Sequence, residues 1–362
     1  MPTLHSPLTV GTLEVPNRIF MAPLTRCRAE AGDVPGELIA THYAQRASAG
    51  LLIAEATMAM AGNCAFMGAP GVHSEAQVAG WRGVTDAVHA AGGRIYLQIW
   101  HGGRACHSLL NEGRQPVSAG ATAIEGEAYT PQGMKPYDTP RALRDDEIPG
   151  IVAGFRAAAA NARRAGFDGV EVHGANGYLL DQFLRDGSNT RSGPYGGSIA
   201  NRARLLLEVT EAAASVFGAG RVGVRLSPLN SYNSMVDSAP VALTEHVAGK
   251  LGAMSIGYLH LMRADFFGKQ HGDVVTPARR AFKGVLVGNM GYTPDEAEAA
   301  VAAGQLDAVA FGTAFLANPD LPARIKAKAA LNTPDQTTFY TPGAKGYTDY
   351  PTMSGSTAGA RA

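Results

Sequence analysis

The chain has few cysteines, no surplus of either charge and no long apolar run, and each lack removes a class of protein. Cys27, Cys64 and Cys106 are its three cysteines, far apart and without a CxxC pair. That argues against a disulfide framework and against a cysteine-ligated zinc or iron–sulfur centre, and it fits a reducing cytoplasm. His101, Cys106 and His107 match no zinc spacing, so no metal is expected. Thirty-one Lys and Arg balance thirty-one Asp and Glu with no basic block, so the expected partner is a small molecule and neither nucleic acid nor an anionic membrane. No run of eighteen apolar residues occurs, and Met1 to Asn17 lacks the charged-then-apolar pattern of a signal peptide. A soluble, cytoplasmic protein is expected, either monomer or homodimer.

What is present is enough apolar residue, 46% of 362, for one large core. Eight short apolar runs recur, at 17–22, 50–55, 94–99, 168–173, 221–226, 258–262, 284–288 and 307–312, mostly followed by helical stretches. Between them Val78, Trp81, Val84 and Val88 fall on one helical face, as do Ile151, Val152, Phe155 and Ala159. Thr293-Pro294-Asp295-Glu296 combines a cap, a first-turn proline and a capping-box glutamate, while Gly166 and Gly304 stop helices. Strands alternating with helices in this way predict a (β/α)8 TIM barrel, with an open doubly wound sheet as the alternative. Two stretches break the rhythm, His101–Arg144 after the third strand and Ser227–Pro240 after the fifth, and both are expected to form a lid or rim at the carboxyl end of the barrel. Residues 1–351 are read as one barrel with an amino-terminal capping segment, and 352–362 as a disordered tail.

One segment carries chemistry. Val170-Glu171-Val172-His173 alternates as a strand and runs into Gly174-Ala175-Asn176-Gly177-Tyr178, a glycine-rich turn with a histidine, an amide and a phenol. His173 and Asn176 can donate hydrogen bonds to one oxygen. Tyr178, with a free pKa of about 10, keeps its proton at neutral pH. The three together suit polarising and protonating an activated alkene. Other strand ends offer Pro23-Leu24-Thr25-Arg26, Ala56-Thr57, Gln98, His101 and Arg225, groups able to read the edge of a planar heterocycle and stabilise an anionic ring, with glycine-flanked backbone at the last two strands for a phosphate.

Met21-Ala22-Pro23-Leu24-Thr25-Arg26, Gln45-Arg46-Ala47-Ser48-Ala49-Gly50, Gln98-Ile99-Trp100-His101-Gly102-Gly103-Arg104, Tyr195-Gly196-Gly197-Ser198-Ile199-Ala200-Asn201-Arg202 and Gly346-Tyr347-Thr348-Asp349-Tyr350-Pro351 run almost the length of the chain. In these motifs the sequence resembles the Old Yellow Enzyme family, in particular its N-ethylmaleimide, xenobiotic and 2-cyclohexenone reductases. The resemblance implies an FMN-containing barrel that takes hydride from NADH or NADPH and reduces α,β-unsaturated carbonyl compounds, with nitro compounds and nitrate esters as further acceptors. It implies that Pro23, Thr25, Ala56, Gln98, Arg225, Gly288, Asn289, Gly291, Gly312 and Thr313 bind FMN, and that His173 and Asn176 hold the substrate oxygen. It implies a ping-pong cycle in which hydride passes from FMN N5 to the β-carbon while Tyr178 protonates the α-carbon. It implies a pocket shaped by Trp100, Phe66, Phe266 and Tyr340. One departure stands out: the family's Phe-Gly-Arg or Phe-Gly-Lys is here Phe311-Gly312-Thr313, so a phosphate-binding cation is missing. A barrel lyase using His173 and Tyr178, and a barrel that has lost its flavin, are the competing readings.

Overall fold

The computed structural model describes residues 1–353. Each of the eight apolar runs forms a strand: β1 Ile19–Met21, β2 Leu52–Met58, β3 Ile95–Trp100, β4 Gly169–Gly174, β5 Val222–Leu226, β6 Tyr258–Met262, β7 Val285–Asn289 and β8 Ala308–Phe311. All pair in parallel, and β8 pairs back onto β1, so the sheet is a closed barrel with no open edge. The expected doubly wound alternative is thereby excluded.

Alternation along these strands creates two cores, which is why their sequences read as continuous apolar runs. Residues such as Leu97, Val170, Val172, Leu259, Leu261 and Leu286 face outward and pack under the helices. Phe20, Leu51, Ile53, Tyr96, Tyr258 and Val287 face inward and fill the lumen. The amino-terminal segment folds as a hairpin, Leu8–Val10 against Leu13–Val15, and sets Val10, Leu13 and Val15 into that inner cluster, closing one end of the barrel.

Helix boundaries follow the expected chemistry. Ser74 caps the helix Glu75–Ala90 through a capping box with Gln77, and Thr293 does the same for Pro294–Ala302 with Glu296. Trp81 on the first of these is fully buried, its indole N–H donating to the carbonyl of Gly71. Gly166, at φ +90°, ends the helix Ile148–Arg164 in a left-handed conformation and turns the chain into β4.

The excursion after β3 contains a small parallel pair, Val117–Ser118 with Arg141–Ala142, and a hairpin, Glu127–Thr130 with Gly133–Pro136. Among the described residues no helix is long and apolar enough to cross a membrane. The tail expected to be disordered falls, from residue 354 onward, outside the described residues.

Candidate active site

At the carboxyl end of β4 the chain must leave the barrel sharply, and its glycines permit it. A Cβ on Gly174 would stand 2.9 Å from Leu206, and Gly177, at φ +72°, would press on Asn233 and Met235 at 2.7 Å. Asn176 between them is also left-handed, at φ +56°. The turn is held by hydrogen bonds from the Asn176 amide to Ser227 Oγ (2.7 Å) and from the Gly177 amide to Asp181 Oδ2 (2.8 Å).

This scaffold decides which atoms His173 and Asn176 present. The Ala175 amide donates to His173 Nδ1 at 3.3 Å, so Nδ1 is the acceptor and Nε2 carries the proton. Burial holds the imidazole well below its usual pKa, with the Arg225 and His260 charges adding to the effect, so His173 is neutral and a donor. Asn176 Oδ1 accepts from Asn230 Nδ2 at 2.9 Å, which leaves its amide N–H groups to face the cavity. Tyr178 lies edge-on to both His173 (5.1 Å, 88°) and Trp100 (5.1 Å, 85°). Burial, reinforced by the neighbouring Tyr232 phenol, raises its pKa well above the ordinary value, so it keeps its proton. Two donors for one oxygen and a proton source thus line one cavity.

Beneath them lies a polar network that no single motif announced. Strand register sets Gln98 beside Glu171, His173 beside Arg225, and Arg225 beside His260. Glu171 is fully buried and accepts from Gln98 Nε2 (2.8 Å), the Tyr258 hydroxyl (2.9 Å) and His260 Nδ1 (2.8 Å). Burial works against its charge, yet His260, its hydrogen bonds and Arg225 hold its pKa below the usual range. Arg225 Nη2 donates to Asn289 Oδ1 at 2.9 Å, and Asn289 Nδ2 donates to the Ala310 carbonyl at 2.7 Å. Arg225 Nε is buried without a partner among the described residues, a donor able to meet an acceptor in the cavity.

The cavity above this floor has a volume of about 610 Å³, within the range of small-molecule and cofactor sites. Pro23, Thr25, Ala56, Gln98, Arg225, Asn289, Gly291, Gly312 and Thr313 all line it, as do Phe66, Phe266 and Tyr340. Two expected residues do not. Gly288 is on the outward parity of β7, where a Cβ would meet Leu306 at 2.3 Å, so its small size serves strand–helix packing. Trp100 is fully buried behind the wall, where Phe66 stacks on it at 6.1 Å. The two predicted rims also diverge: Ser227–Pro240 contributes Tyr232 to the wall, whereas none of the lining residues comes from His101–Arg144. That excursion instead docks behind the site, Ser118 Oγ and the Arg104 amide both donating to Gln182 Oε1.

Sequence reasoning passed over Tyr232, Phe267, Tyr292 and Phe339 as wall residues. Arg26 is tied to the carboxyl-terminal segment through the carbonyls of Phe339 (3.0 Å) and Gly346 (2.8 Å), and this is how Phe339 and Tyr340 reach the mouth. Burial pushes the Cys27 thiol up to about 12 and Cys106 well above its ordinary value, so neither is held as a thiolate.

The cavity suits a planar heterocycle with a phosphate tail. Gln98 and the unpartnered Nε of Arg225 suit a polar ring edge, Thr25 offers a hydroxyl, and the loops after β7 and β8 lie where parallel barrels hold phosphates.

Comparison with known proteins agrees with this geometry. Residues 3–332 match the model of the NADH:flavin oxidoreductase / NADH oxidase family. A probable flavin mononucleotide-dependent alkene reductase of Leishmania infantum is 48% identical, with 96% of each chain covered. Morphinone reductase in complex with tetrahydroNAD is 47% identical, with 98% of each chain covered and a TM-score of 0.93. The Old Yellow Enzyme homologue from Zymomonas mobilis is 45% identical, covering 97% of this chain and 99% of that one, with a TM-score of 0.94.

Proposed function

The chain belongs to the NADH:flavin oxidoreductase / NADH oxidase family, that of Old Yellow Enzyme, and is an FMN-dependent, NAD(P)H-driven reductase of activated alkenes; we propose that His173, Asn176 and Tyr178 do its work on the alkene. FMN, when bound, supplies the redox chemistry, accepting hydride from NAD(P)H and delivering it to the alkene carbon β to the carbonyl. Thr25, Gln98 and Arg225 would hold its ring, with Pro23 and Ala56 supplying backbone, and the loops at Gly291 and Gly312-Thr313 would take its phosphate.

The observation that carries this assignment is that His173 and Asn176 each have their acceptor atom already satisfied within the protein. Both can therefore only donate toward the cavity. Two N–H donors on a carbonyl oxygen draw electron density from the conjugated double bond and stabilise the charge that develops on oxygen. Because His173 is neutral, it polarises without surrendering a proton. Tyr178 is the acid: its proton goes to the carbon α to the carbonyl, and a proton from solvent restores the phenol. The same protonation state speaks against a lyase, since an imidazole whose Nδ1 is occupied and whose Nε2 is protonated has no lone pair to act as base.

Phe66, Tyr340, Phe266 and Tyr232 form an aromatic collar around this point, Phe66 stacking on Tyr340 at 6.5 Å and Tyr232 edge-on to Phe266 at 6.1 Å. Such a collar selects flat, apolar substrates with one polar end. The test is to reduce the enzyme with NADPH without oxygen, add 2-cyclohexenone, and follow the visible flavin absorbance. Its return at a rate well above the buffer control is expected. A reduced enzyme indifferent to cyclohexenone would overturn the assignment.

A further inference from the structure

The wall at β7 and β8 contains no cation of its own. Of the residues lining the cavity, only Arg26 and Arg225 are cationic; Arg26 is tied to the carboxyl-terminal segment and Arg225 to Asn289 over the floor, each keeping one buried nitrogen, Nη1 and Nε, without a partner among the described residues. Thr313 offers only a hydroxyl. A dianionic phosphate placed here would have to rely on backbone amides, whose value depends on being aimed and left unpaired.

Arg263, one residue beyond β6, stands just behind that wall. Its Nε donates to the Met290 carbonyl at 2.9 Å and its Nη2 to the Gly291 carbonyl at 2.8 Å. Its guanidinium lies 3.7 Å from the centre of the Tyr292 ring and pairs with Glu296 at 3.2 Å, and its own amide donates to Asn289. In a trans peptide the N–H points opposite to the C=O. Holding the carbonyls of 290 and 291 outward therefore turns the amides of Gly291 and Tyr292 the other way, toward the cavity that Met290, Gly291 and Tyr292 line. Neither amide has a hydrogen-bond partner among the described residues. Met290 and Gly291 both take positive φ, +80° and +70°, so the bend is one that the chain would not hold unaided, and the forked guanidinium is what fastens it.

We propose that Arg263 is the positioning residue for the cofactor's phosphate: it aims the two amides from outside the cavity and sets a guanidinium, paired with Glu296, behind them. The inference rests on the FMN reading above, and it assigns to β6 a task that the residue at 313 does not perform. Lysine could not substitute fully, because one ammonium cannot grip two successive carbonyls in a fixed plane.

The experiment compares two probes that differ only by the phosphate. Full-length protein is freed of flavin by dialysis, refolding is checked by circular dichroism, and FMN and riboflavin are titrated by quenching of flavin fluorescence. Arg263→Ala is expected to weaken FMN about tenfold or more while changing riboflavin by less than about twofold. Arg263→Lys is expected to fold normally and to fall between, with the FMN loss growing as salt is raised. Equal loss of both probes would mean that Arg263 merely supports the fold, and no loss of either would mean that it does not act on the phosphate; each overturns the inference. Wild-type protein that takes up neither probe would instead sink the FMN reading itself.

Discussion

The two walls of the cavity are built differently. From β3 to β6 the wall is a set of side chains, Gln98, His173 and Arg225, backed from beneath by Glu171 and His260 through adjacent rungs of the ladder. At β7 and β8 the inward side chains are Asn289, already used by Arg225 and Ala310, and small residues, so the wall is mostly backbone. The difference follows from what each wall must meet. Where charge moves during a reaction, groups with definite protonation states are needed. Where charge is constant, as on a phosphate, aimed peptide dipoles suffice.

The sharpest way to break this contrast is to remove the proton source from the side-chain wall. Tyr178→Phe is expected to slow alkene-dependent reoxidation of the NADPH-reduced enzyme by about 10²-fold or more, while reduction by NADPH stays within about twofold. Stopped-flow absorbance of the two half-reactions checks it, and equal loss in both would remove Tyr178 from the role of acid. Next in size, replacing His173 and Asn176 together by Ala is expected to weaken simple phenols by roughly 100-fold, two donors at about 1–2 kcal/mol each. A spectral titration with unchanged phenol affinity would show that these donors do not face the ligand.

The backbone wall is tested in the opposite sense, by adding charge. Thr313→Arg places a cation where the loop has none and is expected to tighten FMN by about tenfold without altering preference among enones. An unchanged or weaker FMN dissociation constant would mean that the amides already satisfy the phosphate. The smallest expected effect is of pH. His173 is held below its ordinary pKa and Tyr178 above, so acid would have to protonate the first, and alkali deprotonate the second, outside the range from about 6.5 to 9. The alkene half-reaction should vary by less than about twofold across that range. An acid limb near 6.5 would mean that His173 titrates in the working enzyme, and an alkaline limb near 9 that Tyr178 does.

Much of this was legible beforehand, and the misses are instructive. All eight strands were readable, because each is a short, mostly apolar run and several of the helices between them carry clear start or stop signals. That His173, Asn176 and Tyr178 share one tight turn was readable because Gly174 and Gly177 sit among them, and the structure brings all three to one cavity. His260 was not, since within Tyr258-Leu259-His260-Leu261-Met262 it reads as one polar residue in a buried strand. Its partner Glu171 lies 89 positions away. Gly288 was misassigned for want of parity: Val287 and Asn289 face the lumen, so Gly288 must face the helices. Trp100 ends β3 and is covered by Phe66, a contact between positions 34 apart that local sequence does not announce.

By itself the amino-acid order determined the strands, the helices with their caps, and the tight turn bearing imidazole, amide and phenol, since all of these are set by residues within a few positions of one another. Closure of the barrel decided the rest: which face of each strand looks inward, which lone pairs are already taken, and which arginine stands behind a loop. Those properties belong to pairs separated by tens of residues, and they come into being only when the ladder brings them within hydrogen-bonding distance in a space that excludes water.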